Sequence, residues 1–404
     1  MGIIRGLGYA VWTIYDVTRQ RSKIEAEAPI EEIGGRVDGQ NIIITGPTSG
    51  IGRETAKELV RRGAKLTLAC RNVESGEELK REIVEACPGS TEPEVMRLDL
   101  SSLASVDAFS KAWLAKGVPL HVLVNNGGMN DMGGFPRRES PDGHELHLAT
   151  NFLGPAALTL WLLPALERAA ASTGRPARVV SVASIGHFLG RVHRSDVDMA
   201  KEVKFEANKA YAQSKLMQVL FAWELPKRAG MPLLSVSLHP GAVNSNIYRD
   251  APKKLNNMLE SSGKKYGLSP REGSRASLVA ATDASLDALA GPTDEPVYLT
   301  YTGKRQEPAR KARDPKRAAW VWEWTQKAIA DYRKQAAAAP AKRPADALEG
   351  SAGRSFISTA VVVPVEAVGA GGAAVAPRAV APLAVPSEEQ SRDAVPSRDQ
   401  SWAD

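Results

Sequence analysis

From Asn41 onward the chain alternates short apolar runs with longer stretches of helical periodicity. The runs NIIIT, HVLVN and RVVSV are continuously apolar and rich in β-branched residues. A strand buried on both faces reads this way, whereas a strand with one wet face alternates. The pattern predicts strands over 41–45, 65–69, 94–98, 120–124, 178–182, 233–238 and 296–299. Helices are predicted near 51–62, 74–86, 102–116, 142–172, 209–228 and 271–283. Strand–helix alternation with such strands implies an α/β fold, a doubly wound parallel sheet of Rossmann type with helices on both faces. One main domain over residues 38–335 accommodates all of it. Long connections at 184–208 and 241–270 follow two of the strands. In an open α/β sheet ligands sit beyond the carboxyl ends of strands, so these loops are expected to shape a pocket.

The two ends read differently. Drawn as a helix, residues 1–18 place Ile4, Leu7, Val11, Ile14 and Thr18 on one side, with Arg5, Trp12, Asp16 and Arg19 opposite. The apolar stretch is too short for the ~20 residues of a spanning helix. An amphipathic segment over 1–37 fits either a membrane interface or a helix docked on its own domain. Charged residues at 16–27 separate the apolar run from any small-residue cleavage site, which argues against a signal peptide. From residue 336 to 404 the chain is mostly Ala, Pro, Val, Gly and Ser, and a disordered tail is expected there.

Composition is that of a globular protein, 43% hydrophobic and 24% charged, which excludes a wholly disordered chain. The net charge of +6 is not spread evenly. Residues 304–343 hold 12 Lys/Arg against 4 Asp/Glu, whereas residues 344–404 hold 4 against 8. The basic character is therefore a local patch, and no specific nucleic-acid partner is expected. Two cysteines, Cys70 and Cys87, make neither a disulfide framework nor a zinc site, so no metal is expected.

The sequence Thr45-Gly46-Pro47-Thr48-Ser49-Gly50-Ile51-Gly52 follows the first predicted strand and opens a helix. Glycines allow close backbone approach to a ligand, and a helix start offers unpaired N–H groups to a pyrophosphate. The spacing is G-x-x-x-G-x-G. The second strand ends Cys70-Arg71-Asn72 with no carboxylate before Glu74, and Arg53 follows the glycine loop. A carboxylate there would bind a ribose 2′-hydroxyl, while an arginine accommodates a 2′-phosphate. NADP(H) is therefore expected over NAD(H).

With these pieces in register, the chain resembles the short-chain dehydrogenase/reductase family over about residues 38–330. The resemblance rests on TGPTSGIG at 45–52, Asp99-Leu100, Asn125-Asn126-Gly127-Gly128, Asn151 in ATNFLGP, Ser184 in RVVSVAS, Tyr211–Lys215 in YAQSK and Pro240-Gly241 in HPGAVNS. The family's usual N-N-A-G turn carries Gly127 here in place of Ala. Within the family the chain is most similar to retinol-dehydrogenase and WW-domain-oxidoreductase types, through ACRN, SPDGHEL and a long interval from Ser184 to Tyr211.

Hydride transfer to a carbonyl leaves an alkoxide that needs a proton. A tyrosine supplies it if a nearby ammonium lowers its reference pKa of about 10. Tyr211 and Lys215 are four apart in a predicted helix and share a face. The resemblance implies Tyr211 as acid and base, Lys215 as its pKa partner and ribose holder, Ser184 on the substrate oxygen, and Asn151 holding a water that links Lys215 to solvent. Expected cofactor contacts are Gly46, Thr48, Ser49, Gly50, Ile51, Gly52, Arg53, Arg71 and Asn72. Leu100 is a further expected contact; Asp99 is expected at the adenine, and Asn125 and Gly127 at the nicotinamide-side ribose. Pro240, Gly241, Val243 and Ser245 are expected at the carboxamide.

Met129, Met132, Phe135, Ile185, Phe188, Ile247, Tyr248 and Met258 fall in segments expected near the nicotinamide, and they suit a lipophilic carbonyl or alcohol or simply pack the loops. His187 and His193 lie within reach of the same pocket, although loop histidines are commonly solvated. Residues 304–317 carry seven Lys/Arg, followed by Trp320, Trp322 and Trp324 in a predicted helix. With residues 1–18, residues 304–324 offer peripheral contact with a membrane. The alternative is a solvated linker and a packing helix. A homodimer is left open, and the expected placement is intracellular, cytoplasmic or peripheral on an organelle membrane. The expected activity is NADP(H)-dependent oxidoreduction of a lipophilic carbonyl or alcohol. Its alternative is a non-catalytic NADP(H)-binding module at a membrane surface.

Overall fold

The apolar, β-branched runs become the middle of one sheet. The computed structural model of the chain describes residues 19–132, 135–201, 204–245, 247 and 267–338. The segment 1–18, Tyr248, Met258 and the sequence from 339 onward lie outside the described residues. Seven strands run β1 (Asn41–Thr45), β2 (Lys65–Cys70), β3 (Glu94–Arg97), β4 (Val122–Asn125), β5 (Ala177–Val182), β6 (Leu233–Leu238) and β7 (Tyr298–Leu299). They pair in the order β3-β2-β1-β4-β5-β6-β7, parallel throughout. The expected doubly wound sheet is thus present. Its strand order reverses between β1 and β4, where Ile42 faces Val122 and Ile44 faces Val124. Such a reversal opens a crevice at the carboxyl ends of the two strands.

Helices cover both faces. One face carries α1 (Gly50–Arg61), α2 (Val73–Ala86) and α6 (Pro270–Thr282), joined to the sheet through Leu59, Leu79, Ile83 and Leu278. The other carries α3 (Leu103–Leu114), α4 (Gly154–Thr173), α5 (Ala207–Ala229) and α7 (Pro315–Ala338), packed through Val106, Leu162, Leu220 and Val321. Local chemistry sets several helix starts. Asn72 and Ser102 accept the N–H groups of Ser75 and Ser105, and Ser269 and Glu272 form a reciprocal capping box.

Several boundaries shift by one or two residues, among them β4 from 120–124 to Val122–Asn125 and β7 from 296–299 to Tyr298–Leu299, and two further differences stand out. The expected helix over 142–172 is a turn followed by a π-helical stretch, Leu148–Leu153, and then α4. The Glu145 carboxylate accepts the N–H groups of His147 and Leu148, at 3.0 and 2.8 Å, and so starts the helical path there. The last helix runs to Ala338, a little beyond the expected start of the tail.

Leu148–Thr173 is the one stretch among the described residues long and apolar enough to cross a membrane. Its most apolar 18-residue window is 78% buried within the fold, as a core helix is. Residues 19–37 pack on the main body. Gln20 is fully buried and brackets Ala242, donating to its carbonyl and accepting its N–H, both at 3.0 Å. The Arg62 guanidinium donates to the carbonyl of Ile30 at 2.6 Å and also bonds that of Ile33.

The tryptophans of α7 turn inward. Trp322 stacks on Phe221 at 5.6 Å, Trp324 lies 6.2 Å from Phe152, and Trp320 sits under Arg194.

Candidate active site

A cleft of about 560 Å³ opens beyond the carboxyl ends of β1, β4 and β5, within the usual size range of ligand pockets. Its floor is the glycine loop. Gly46 and Gly50 have φ of +62° and +56°, in the left-handed region that favours glycine. A Cβ on Gly46 would stand 2.8 Å from Gly127 Cα, and one on Gly52 would collide with Asn126 Nδ2 and the Gly46 carbonyl. The loop is therefore a cradle that side chains would fill. Ser49 makes no side-chain cap on α1, which leaves the first N–H groups of that helix for a ligand.

Asn126 holds the cradle in place. Its Nδ2 donates to the carbonyls of Thr45 and Gly46 at 2.9 and 3.0 Å. Thr45 Oγ1 accepts the N–H groups of Asn126 and Gly127 at 3.1 and 2.9 Å. Gly127, in place of the family's alanine, lies where a Cβ would stand 2.7 Å from Leu100 Cδ1. The leucine side chain occupies that space.

Most expected cofactor residues line the cleft: Gly46, Thr48, Ser49, Gly50, Ile51, Gly52, Arg71, Asn72, Asp99, Leu100, Gly127, Pro240, Gly241, Val243 and Ser245. Two face elsewhere. Arg53 pairs with Glu82 of α2, and Asn125 is buried with its Nδ2 donating to Thr159 Oγ1 at 2.9 Å. Arg71 is exposed at the rim and makes no ion pair among the described residues. Asp99 Oδ1 accepts from the backbone and hydroxyl of Ser101, at 2.9 and 2.7 Å.

Ser184, Tyr211 and Lys215 meet in the same cleft. Tyr211 and Lys215 sit one turn apart near the start of α5, and Lys215 Nζ is 5.7 Å from the centre of the Tyr211 ring. Ser184 stands just past β5 as the cap of a short 3-10 turn, and its Oγ accepts the N–H of Gly186 at 3.0 Å. Gly186 separates Ser184 from Tyr211: a Cβ there would be 3.3 Å from Tyr211 Cε1 and 3.4 Å from Ser184 Oγ. Lys215 is 3% exposed and donates to the Val182 carbonyl at 2.9 Å. Burial pushes its ammonium down to about 7.

Asn151, on the π-helical stretch, does not line the cleft. Its amide is fully buried and clamps Met129, accepting that residue's N–H at 2.8 Å and donating to its carbonyl at 3.0 Å. The same Nδ2 donates to Ser214 Oγ at 3.1 Å. Asn151 Oδ1 and Lys215 Nζ both lie close beside Gly128, where a Cβ would be 3.1 and 3.5 Å from them. A π-helical turn at such a place is common near functional sites.

Sequence reasoning missed a second cluster. Asp131, Glu145 and His147 are buried beside the cleft. His147 Nδ1 lies 2.8 Å from Glu145 Oε1 and its Nε2 3.5 Å from Asp131 Oδ1. Burial alone would lower His147, but the two carboxylates outweigh it and raise the imidazole to about 9. Arg138 lines the cleft and donates to Asp131 Oδ2 at 3.1 Å. The His147 ring meets the Tyr211 ring edge-on at 6.4 Å. The local sequence does not announce this cluster, because Asp131 lies on a separate segment from Glu145 and His147.

Of the apolar residues expected near the nicotinamide, Met129 and Ile247 line the cleft, joined by Leu146. Phe188 packs against the main core, and Phe135 is exposed beneath the Arg138 guanidinium. His193 is partly buried, and its backbone N–H donates to the Gln213 side-chain oxygen at 2.9 Å. His187 is not solvated at all: it is fully buried.

Residues 40–196 match the short chain dehydrogenase family. Retinol dehydrogenase 11 of Mus musculus is 37% identical over 283 residues, covering 69% of this chain and 85% of that protein. Polyprenol dehydrogenase of Mus musculus is 39% identical over 287 residues, covering 70% and 82%. A solved structure of an uncharacterized protein from Mycobacterium Paratuberculosis is 30% identical with a TM-score of 0.57, covering 75% of this chain and 98% of that one.

Proposed function

The chain belongs to the short-chain dehydrogenase/reductase family, of retinol-dehydrogenase type, and from that premise we propose that it interconverts a lipophilic carbonyl and its alcohol with NADP(H). A nicotinamide dinucleotide bound in the cleft supplies or accepts the hydride. The glycine cradle and the start of α1 hold its pyrophosphate. Arg71, exposed and without an acidic partner among the described residues, favours a 2′-phosphate at the adenosine end.

The chain's own groups then handle the proton. In reduction the Ser184 hydroxyl donates to the substrate oxygen, and the Tyr211 hydroxyl gives up its proton to that oxygen. The Lys215 ammonium stabilises the phenolate left behind. In oxidation the same proton returns to Tyr211. Asn151 positions Met129 and the wall of the cleft beside Lys215. The observation that carries the reading is the meeting of Ser184, Tyr211 and Lys215 in the cleft that the glycine loop floors.

Relatives named for retinol and polyprenol, together with Met129, Leu146 and Ile247 in the cleft, support a lipophilic substrate. Exposed Lys304, Arg305, Arg310 and Lys316 support peripheral contact with an anionic membrane inside the cell. A panel of retinoids, steroids and aliphatic aldehydes, run with NADPH and with NADH, tests the proposal. Turnover with NADPH on at least one lipophilic carbonyl is expected. Tight NADPH binding with no turnover across the panel would favour a non-catalytic module instead.

A further inference from the structure

His187 lies three residues past Ser184, and the chemistry above does not use it. It is fully buried, with its ring against Phe188 at 4.2 Å and Tyr298 at 5.0 Å. Both of its nitrogens are engaged. The backbone N–H of Ala309 points at Nε2 from 3.1 Å. An N–H donor there requires Nε2 to be the acceptor, which places the ring proton on Nδ1. Nδ1 in turn stands 2.7 Å from the carbonyl oxygen of Ser184, within donating distance. The geometry therefore fixes one neutral tautomer. A second proton on the ring would confront the Ala309 N–H with another donor. Burial also disfavours the charged ring and holds His187 down to about 3.

We infer that His187 is a positioning residue for carbonyl activation, a neutral strut that fixes the Ser184 peptide and ties it to Ala309 in the basic segment after β7. The Ser184 carbonyl accepts both His187 Nδ1–H and the His187 backbone N–H, the latter at 3.1 Å. These bonds hold the peptide plane next to the hydroxyl. The hydroxyl, with Gly186 N–H on its oxygen, is left to present its proton to a substrate. The strut also means that the Ala309 backbone bears on Ser184 from the far side of the imidazole. The inference rests on the proposed role of Ser184 and adds a residue that neither spacing nor motif marks.

The test is a double-mutant cycle on the full chain, with NADPH and the best carbonyl of the panel. Loss of the hydroxyl in Ser184→Ala is expected to lower kcat roughly 10²-fold, the usual effect of removing one donor to a developing oxyanion. His187→Leu is expected to lower kcat about tenfold with NADPH affinity unchanged, and to add little in the Ser184→Ala background, as coupled residues do. An asparagine amide retains a donor near Nδ1, so His187→Asn is expected to recover part of the loss; it also serves as the single variant of the cycle if His187→Leu does not fold. An equal loss with and without the Ser184 hydroxyl, or unchanged kcat in both variants, would overturn the strut.

A second reading is independent of turnover. Imidazole ¹⁵N shifts of the wild-type chain are expected to show His187 as the Nδ1–H tautomer and untitrated down to pH 5. A His187 that titrates above pH 5, or carries its proton on Nε2, would overturn the inference even if no substrate is found. A chain without turnover but with the expected shifts would retire the proposed reaction and keep the strut.

Discussion

Lys215 Nζ stands 5.7 Å from the centre of the Tyr211 ring while it donates to the Val182 carbonyl at 2.9 Å. One helical turn supplies the pair, and the end of β5 supplies the anchor. The amine is thus held beside the phenol by backbone that is itself part of the sheet. Its burial has a consequence for stability. The folded chain holds Lys215 at about 7, against an ordinary 10.5. Between those values the unfolded chain binds a proton that the folded chain does not, so this residue makes stability rise with pH through that window. Urea unfolding of the cofactor-free protein at pH 7 and pH 9 is expected to show a smaller rise in Lys215→Met than in wild type. An identical rise in both would mean that Lys215 is not desolvated as described.

His147 has the opposite sign. Its folded value of about 9 lies above its ordinary 6.5, because Asp131 and Glu145 outweigh the cost of burial. The stability it contributes is complete below about 6.5 and is lost as pH rises through 9. The stability gap between wild type and His147→Gln, followed by urea unfolding from pH 6 to pH 10, is expected to narrow as pH rises. A gap that is constant or widens would show that the imidazole is not charged in the fold.

Gly186 marks the distance between the serine hydroxyl and the tyrosine ring. A Cβ there already stands 3.3 Å from Tyr211 Cε1, so the branches of a valine must push into the gap. Gly186→Val is expected to lower kcat at least tenfold, on the order of 1.4 kcal/mol of barrier, with NADPH affinity unchanged by fluorescence titration. A variant with wild-type kcat would show that the two groups need not face each other.

The frame of this site was legible in the sequence. β1 and β6 keep their expected limits because their apolar runs, β-branched in β1, are bounded by polar residues and turns, and the glycine loop, Ser184, Tyr211 and Lys215 lie at the carboxyl-end cleft. What stayed hidden depends on partners distant along the chain. Arg53 reads as a phosphate ligand until Glu82, on the next helix, takes it. His187 reads as a loop residue until Ala309 closes over it. The π-helical stretch under Asn151 has no compositional mark, since it is set by the Glu145 cap and by packing on α5.

The proposed preference for NADP(H) rests on the contrast between the two arginines. Arg71 is exposed at the rim and unpaired among the described residues, while Arg53 is paired with Glu82. A hydrogen bond to a charged group contributes roughly 1.5–3 kcal/mol, so Arg71→Ala is expected to weaken NADPH binding about tenfold or more. NADH binding is expected to change little, and Arg53→Ala to have the smaller effect on NADPH. Calorimetric titration of both nucleotides checks this. Equal weakening of NADPH and NADH in Arg71→Ala would remove the 2′-phosphate from the account.

The most direct measurement is the rate of carbonyl reduction by Tyr211→Phe at saturating NADPH, beside its NADPH dissociation constant. Removal of one oxygen atom is expected to lower kcat by roughly 10²–10⁴-fold, the usual contribution of a general acid, while NADPH affinity stays within about twofold. A phenylalanine variant that binds NADPH and turns over at the wild-type rate would contradict the assignment of proton transfer to Tyr211.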